Sequence, residues 1–140
     1  MIAYFDTSAL IPLIIDEPMS APAAELWGMA PRVVSVRLLY PEARAALAQA
    51  RRLRRITERQ LEYALRSLES LDDQIDHIEV TAVLARRAGE LAQMAALRGY
   101  DAVHLAAAES IADEHLVVVA ADNALRSAAH TIGMATATLP

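Results

Sequence analysis

The chain has 140 residues, 55% hydrophobic and 22% charged, with a mean hydropathy of +0.24 and a formal charge of −5. That supply of apolar surface excludes a disordered chain, no apolar run approaches the roughly 20 residues of a bilayer crossing, and the length predicts one domain over 1–140. The acidic balance argues against nucleic-acid binding through a broad basic face, and leaves open carboxylates gathered around a cation that the count omits.

In chain order, Ile2-Ala3-Tyr4-Phe5 is a short apolar run that stops at Asp6, with no basic start that would mark a secretory signal, so a cytoplasmic protein is expected. Residues 7–15 read as a helix capped by Thr7 or Ser8, with Pro12 near its first turn. A short helix over 20–28 carries Trp27, and Arg32 to Val36 reads as a second strand. Pro41-Glu42-Ala43-Arg44 opens an alanine-rich helix to about residue 53, or one that begins slightly earlier. Thr57-Glu58-Arg59-Gln60 has the form of a capping box, starting a helix to about Leu71. Ile75, Ile78 and Val80 suggest a brief third strand. A long amphipathic helix over 81–97, stopped by Gly99, and a helix over 100–113 follow. Leu116 to Ala121 is the clearest buried strand and ends at Asp122. Residues 123–131 are helical, Gly133 ends that helix, and 134–138 make a last strand. Strands apolar on both faces, alternating with helices, predict a three-layer α/β/α sandwich around a mostly parallel sheet of four to five strands. A helix pair projects somewhere between residues 37 and 72.

Two absences narrow the chemistry. Zero cysteine removes disulfides, thiolate nucleophiles and Cys-ligated metals. All 13 basic residues are arginine, which excludes a Walker-type phosphate loop and Schiff-base catalysis. The four glycines, at 28, 89, 99 and 133, are too scattered for a glycine-rich phosphate cradle. A phosphate here would be handled by arginine or by a metal.

Functional groups of open parallel sheets gather beyond the carboxyl ends of the strands. Asp6 and Asp122 each follow a buried apolar run, and Glu42 and Asp101 sit near helix starts, so all four would converge if the two strands are neighbours. Each also has a plainer reading. Asp6 and Asp122 suit helix N-caps, and Glu42 and Asp101 suit first-turn acids that complement the helix dipole. Four carboxylates at one edge repel unless a cation or protons neutralise them.

The segments Tyr4-Phe5-Asp6-Thr7-Ser8-Ala9-Leu10, Pro41-Glu42-Ala43-Arg44-Ala45-Ala46-Leu47, Tyr100-Asp101-Ala102-Val103-His104-Leu105-Ala106 and Ala121-Asp122-Asn123-Ala124-Leu125 resemble the four motifs of PIN-domain ribonucleases, and most of all the VapC-like toxins of bacterial VapBC toxin–antitoxin modules. The resemblance spans nearly the whole chain, in order. It implies a PIN-like fold and an endoribonuclease dependent on Mg²⁺ or Mn²⁺, with Asp6, Glu42, Asp101 and Asp122 as its acids. It also implies an RNA substrate, a cognate antitoxin and a homodimer. One position departs: the family often has Ser or Thr two residues before its last acid, and Ala120 stands there, which leaves the share of Asp122 in the chemistry open, with Thr7 or Ser8 as alternative sources of a hydroxyl.

A carboxylate-held Mg²⁺ activates water and stabilises phosphoryl charge, usually through one or two direct carboxylates with water completing the shell. Asp6 and Asp101 are therefore expected as direct ligands, with Glu42 and Asp122 direct or acting through water. His104, one turn beyond Asp101, reads as a structural hydrogen-bonder rather than a general acid. Arg51, Arg52, Arg54 and Arg55 form the densest basic run, either a solvated helix end, a phosphate contact for RNA or an antitoxin contact. Arg44 is a candidate for the pocket rim, while Asp16-Glu17 and Asp72-Asp73 read as solvated acids. Trp27, Met29, Leu38, Leu39 and the apolar face of 61–71 offer core packing or partner surface. Two other classes compete with the nuclease: a phosphotransfer fold, which the missing lysine disfavours, and an inactive PIN-like module that only binds RNA or a partner.

Overall fold

A computed structural model describes residues 1–111, 113–137 and 139. Strands β1 (Ile2–Phe5), β2 (Arg32–Val36), β3 (Asp76–Ile78), β4 (Leu116–Val119) and β5 (Ala135–Ala137) form one sheet in the order β3-β2-β1-β4-β5, every pairing parallel. Between them run α1 (Thr7–Leu10), α2 (Ser20–Met29), α3 (Leu39–Arg52), α4 (Glu58–Asp72), α5 (Ala82–Ala95), α6 (Gly99–Ile111) and α7 (Asn123–Thr131). Among the described residues, no helix is long and apolar enough to cross a membrane.

The period-two alternation of each strand sends its side chains into two separate cores. Tyr4, Val34 and Val118 pack with Leu91, Leu105 and Leu125 of α5, α6 and α7. Ala3, Phe5, Val33 and Val119 pack with Leu10, Leu39, Leu47 and Leu68 of α1, α3 and α4. Both faces of the sheet are covered, so its strands are apolar throughout and the three-layer plan follows. Trp27 belongs to this packing, edge-on to Phe5 with ring centroids 5.4 Å apart, whereas Met29 is exposed. Truncating a fully buried leucine such as Leu47 or Leu68 to alanine would cost about 2–5 kcal/mol.

Four expectations need correction. The helix expected over 7–15 is α only to Leu10 and tightens into a 3₁₀ turn at Ile11–Leu13. Pro12 has no N–H for the carbonyl four residues back, and its ring crowds that carbonyl. Gly99 does not stop α5. That helix ends at Ala95 and is capped by Ala96, which adopts left-handed φ 52, and Leu97 donates to the Ala92 carbonyl at 3.1 Å. Gly99 instead opens α6. Strand β4 ends at Val119 rather than Ala121, and β3 is confined to Asp76–Ile78, leaving buried Ile75 and exposed Val80 outside it. The residues 112 and 138, at the ends of an expected helix and strand, lie outside the described residues.

The strand order sets the position of the site. Chain progress from β1 goes to β2 and β3 on one side, then returns to β4 and β5 on the other. The order reverses between β1 and β4, and such a switch point opens a crevice at the carboxyl ends of the two strands.

Candidate active site

Phe5 lies in register with Val119, so Asp6 leaves β1 beside the end of β4, and its amide donates to the Val119 carbonyl at 3.2 Å. Both strand-end aspartates are helix caps, as their plainer reading requires. Asp6 Oδ1 accepts from the Ala9 amide at 3.1 Å, and Asp122 Oδ1 accepts from the Ala124 amide at 2.9 Å. They are also joined to each other. Ser8 Oγ lies 2.7 and 2.9 Å from the two carboxylate oxygens of Asp6 and accepts from the amides of Ala121 at 2.9 Å and Asp122 at 3.2 Å. One hydroxyl proton and two lone pairs are thereby fully used. Ser8 supplies the hydroxyl at this turn, while Ala120 is fully buried and offers only its carbonyl, to Arg126 Nη1 at 3.2 Å.

Asp6 is 4% exposed. Burial pushes its carboxyl up from 3.8 to about 6, against the opposing pull of His104, the Ser8 hydroxyl and the Ala9 amide, and the nearby charge of Asp122 pushes the same way as burial. The shift is set chiefly by taking the carboxylate out of water, and carboxyls perturbed in this way are frequent at functional sites.

Glu42 stands in the first turn of α3, and its Oε1 is 2.7 Å from Nε2 of His104 on α6. His104 is fully buried, and its Nδ1 is 2.8 Å from the Tyr4 hydroxyl on β1. Burial raises the Tyr4 phenol well above its usual value, so it stays protonated and able to donate. His104 is thus the structural hydrogen-bonder expected, with Glu42 as its partner.

Asp101 occupies the first turn of α6, where Arg98 Nε approaches its Oδ2 at 3.2 Å; Arg98 Nη2 stands 3.8 Å from Asp122 Oδ2. One guanidinium therefore lies across two of the four acids. Sequence reasoning missed Arg98. The available signal was an arginine three residues before Asp101, where the chain turns from α5 into α6.

The side-chain oxygens left for a ligand at this edge are carboxylates, which suit a hard cation such as Mg²⁺. Among the described residues, no three His, Asp or Glu side chains form a closed grouping for a metal ion. The arrangement fits a water-rich Mg²⁺ site with one or two direct carboxylates rather than an all-protein cage. A cation already stands between Asp101 and Asp122 in the form of Arg98.

The arginine run is not brought to the acids. Arg51 and Arg52 end α3, ten residues beyond Glu42 or about 15 Å along the helix axis, and Arg54 and Arg55 lie in the turn that follows. Arg51 pairs with Glu58 at 2.7 Å. Arg44 turns to Tyr40, donating to its hydroxyl at 3.1 Å. Asp72 is not the solvated acid expected: it is largely buried and meets His77 Nε2 at 2.7 Å.

The PIN domain family model matches residues 3–131. Ribonuclease VapC45 of Mycobacterium tuberculosis (strain CDC 1551 / Oshkosh) is 43% identical over 132 residues, covering 94% of this chain and 92% of that protein. Among solved structures, PAE2754 from Pyrobaculum aerophilum aligns with a TM-score of 0.70 at 24% identity, over 96% of this chain and 87% of that one. A toxin–antitoxin complex from Klebsiella pneumoniae aligns with a TM-score of 0.69 at 20% identity, over 99% of this chain and 98% of that one. At those identities the two structures speak for the fold alone.

Proposed function

The chain belongs to the PIN-domain family, as a relative of the VapC ribonucleases, and from that premise we propose that it is a metal-dependent endoribonuclease and the toxin of a toxin–antitoxin module. The observation that carries the reading is the clasp at the switch point. Ser8 ties Asp6 to the Asp122 turn, and Arg98 ties Asp122 to Asp101, so three acids far apart in sequence are linked at one edge of the sheet. Glu42 enters from α3 on the buried support of His104.

Asp6 and Asp101 are assigned as direct ligands of Mg²⁺ or Mn²⁺, with Glu42 and Asp122 direct or acting through water. A bound divalent ion lowers the pKa of water and neutralises phosphoryl oxygens. The residues of the chain do the rest. Glu42, directed by His104, would accept the proton of the attacking water in this scheme. Asp122, held through Oδ1 by the Ala124 amide, has its second oxygen 3.8 Å from Arg98 Nη2, where a water or an ion would take the place of the guanidinium. Arg52, Arg54 and Arg55 offer guanidinium groups to RNA phosphates at a distance from the cut, with Arg51 joining them by releasing Glu58. Exposed Met29, Tyr63 and Met94 leave apolar surface for a cognate antitoxin and for a second copy of the chain.

Purified chain, free of antitoxin, incubated with total RNA with and without Mn²⁺, tests the reading. New 5′ ends are expected only with the metal. Cleavage that persists in excess EDTA would remove the metal mechanism. RNA binding without any cut would leave the inactive module.

A further inference from the structure

Each of the four acids is steadied by a hydrogen-bond donor or cation, and three of the four have one within three residues in sequence. Asp6 has Ser8 and Ala9, Asp101 has Arg98, and Asp122 has Ala124. Glu42 differs. Its side-chain partner is His104, 62 residues away and on another helix. Without that contact, three rotatable bonds would leave its partly exposed carboxylate free to take many orientations.

His104 is placed at a cost. It sits in α6 among Ala102, Leu105, Ala106, Ala107 and Ala108, all buried, where an imidazole is tolerated only with its nitrogens satisfied. Both are, and on opposite edges of the ring. A carboxylate only accepts, so the proton on Nε2 points to Glu42. Nδ1 on the opposite edge pairs with the Tyr4 hydroxyl, and the two contacts together fix the ring plane. Tyr4 has no exposed surface and stands two residues before Asp6 on β1, so the relay is anchored in the same strand that presents Asp6. A histidine needed only for packing could meet any acceptor. This one meets the single partly exposed atom group of the relay, a carboxylate whose side chain is 23% exposed.

We propose that His104 and Tyr4 form a buried positioning relay that aims the Glu42 carboxylate into the crevice, on the geometry Tyr4 hydroxyl to His104 Nδ1, 2.8 Å, and His104 Nε2 to Glu42, 2.7 Å. The inference rests on the metal-nuclease reading above. Neither residue touches the substrate. Outer partners of this kind typically set metal affinity or activity by about 10- to 100-fold.

The test uses the full chain and Mn²⁺ alone as probe, with affinity read by electron paramagnetic resonance in the absence of RNA. His104→Gln is expected to weaken Mn²⁺ binding about 10- to 100-fold and to lower kcat with little change in KM. Tyr4→Phe, isosteric in the core, is expected to weaken it about 2- to 10-fold through loss of one neutral hydrogen bond. This variant keeps the test open should His104→Gln fail to fold. In a Glu42→Gln background neither change is expected to weaken Mn²⁺ further, because the relay acts through Glu42. Folded variants with parental Mn²⁺ affinity and kcat would overturn the relay while leaving the nuclease reading intact, as would losses that multiply in the double variant. A parent chain that neither binds Mn²⁺ nor cuts RNA would overturn both.

Discussion

The hydroxyl of Ser8 binds both carboxylate oxygens of Asp6, at 2.7 and 2.9 Å, while accepting from two amides of the turn that carries Asp122. A single side chain in the first turn of α1 therefore locks together two strand ends separated by more than a hundred residues. Parallel pairing of β1 with β4 brings those ends side by side, and Ser8 sets how their acids face one another.

Removing that hydroxyl is expected to be costly for fold and function together. Ser8→Ala leaves two part-buried amides without their acceptor, a loss of about 1–3 kcal/mol, and frees Asp6 from Asp122. A fall in RNA cleavage of about tenfold or more should accompany the drop in melting temperature, tenfold being about 1.4 kcal/mol of barrier. Its neighbour is the control. Thr7 Oγ1 is buried with no partner, so Thr7→Val should be neutral or slightly stabilising in thermal melts. Equal damage from both substitutions would show that Ser8 matters only as helix packing.

The raised carboxyl of Asp6 ties stability to pH in a defined direction. Its value goes from 3.8 to about 6 on folding, so between those values the folded chain holds more protons than the unfolded one. The stabilising contribution is complete below about 4 and is lost as pH rises through about 6, on the order of 3 kcal/mol in all. Asp6→Asn keeps the capping oxygen and removes the charge. Subtracting its denaturation profile from that of the parent should isolate a fall between pH 4 and 6, with the variant more stable by about 1–3 kcal/mol at pH 7.5 in the absence of metal. A flat difference profile would mean that Asp6 is ionised without penalty.

The sheet was legible because its central strands are apolar on both faces and are followed by aspartates, a pattern with few alternatives. Asp6 and Asp122 were legible for the same reason, being markers of strand ends. What decides the local chemistry was not. The Glu42–His104 contact joins residues 62 apart and depends on how α3 and α6 pack, which no periodicity records. Arg98, which meets Asp101 and Asp122, follows two residues after Ala96, and Ala96 takes the left-handed conformation that a sequence rule would assign to Gly99. Pro12 shortened α1 to one turn, which is enough to present Ser8 and Ala9 to Asp6.

Asp101 separates charge from fold. Its ion pair is with an arginine side chain that is 85% exposed, and such pairs contribute about 0–1 kcal/mol. Asp101→Asn should therefore shift the metal-free melting temperature by no more than about 4 °C. Metal-dependent cleavage should fall by about 100-fold or more, since a metal supplies several kcal/mol to the transition state, and Mg²⁺ should no longer raise the melting temperature. Unfolding of the variant, in a parent whose melting point Mg²⁺ never moves, would make Asp101 a first-turn structural acid.

Arg98 stands where a divalent ion would be drawn, within 3.2 Å of Asp101 and 3.8 Å of Asp122. A unit charge at such distances in water-like surroundings is worth about 1 kcal/mol per carboxylate, so the guanidinium competes with the ion for both acids. Arg98→Gln is expected to tighten Mn²⁺ binding about 3- to 10-fold, a free-energy gain of that same order, whereas Arg98→Lys should stay near the parent. Because the arginine is exposed, added salt should shrink the difference as screening shortens the reach of its charge. Titration calorimetry at low and high salt makes the measurement. Weaker Mn²⁺ binding in Arg98→Gln would reverse the assignment, making the arginine a group that organises the acids for the ion instead of one that must leave before it binds.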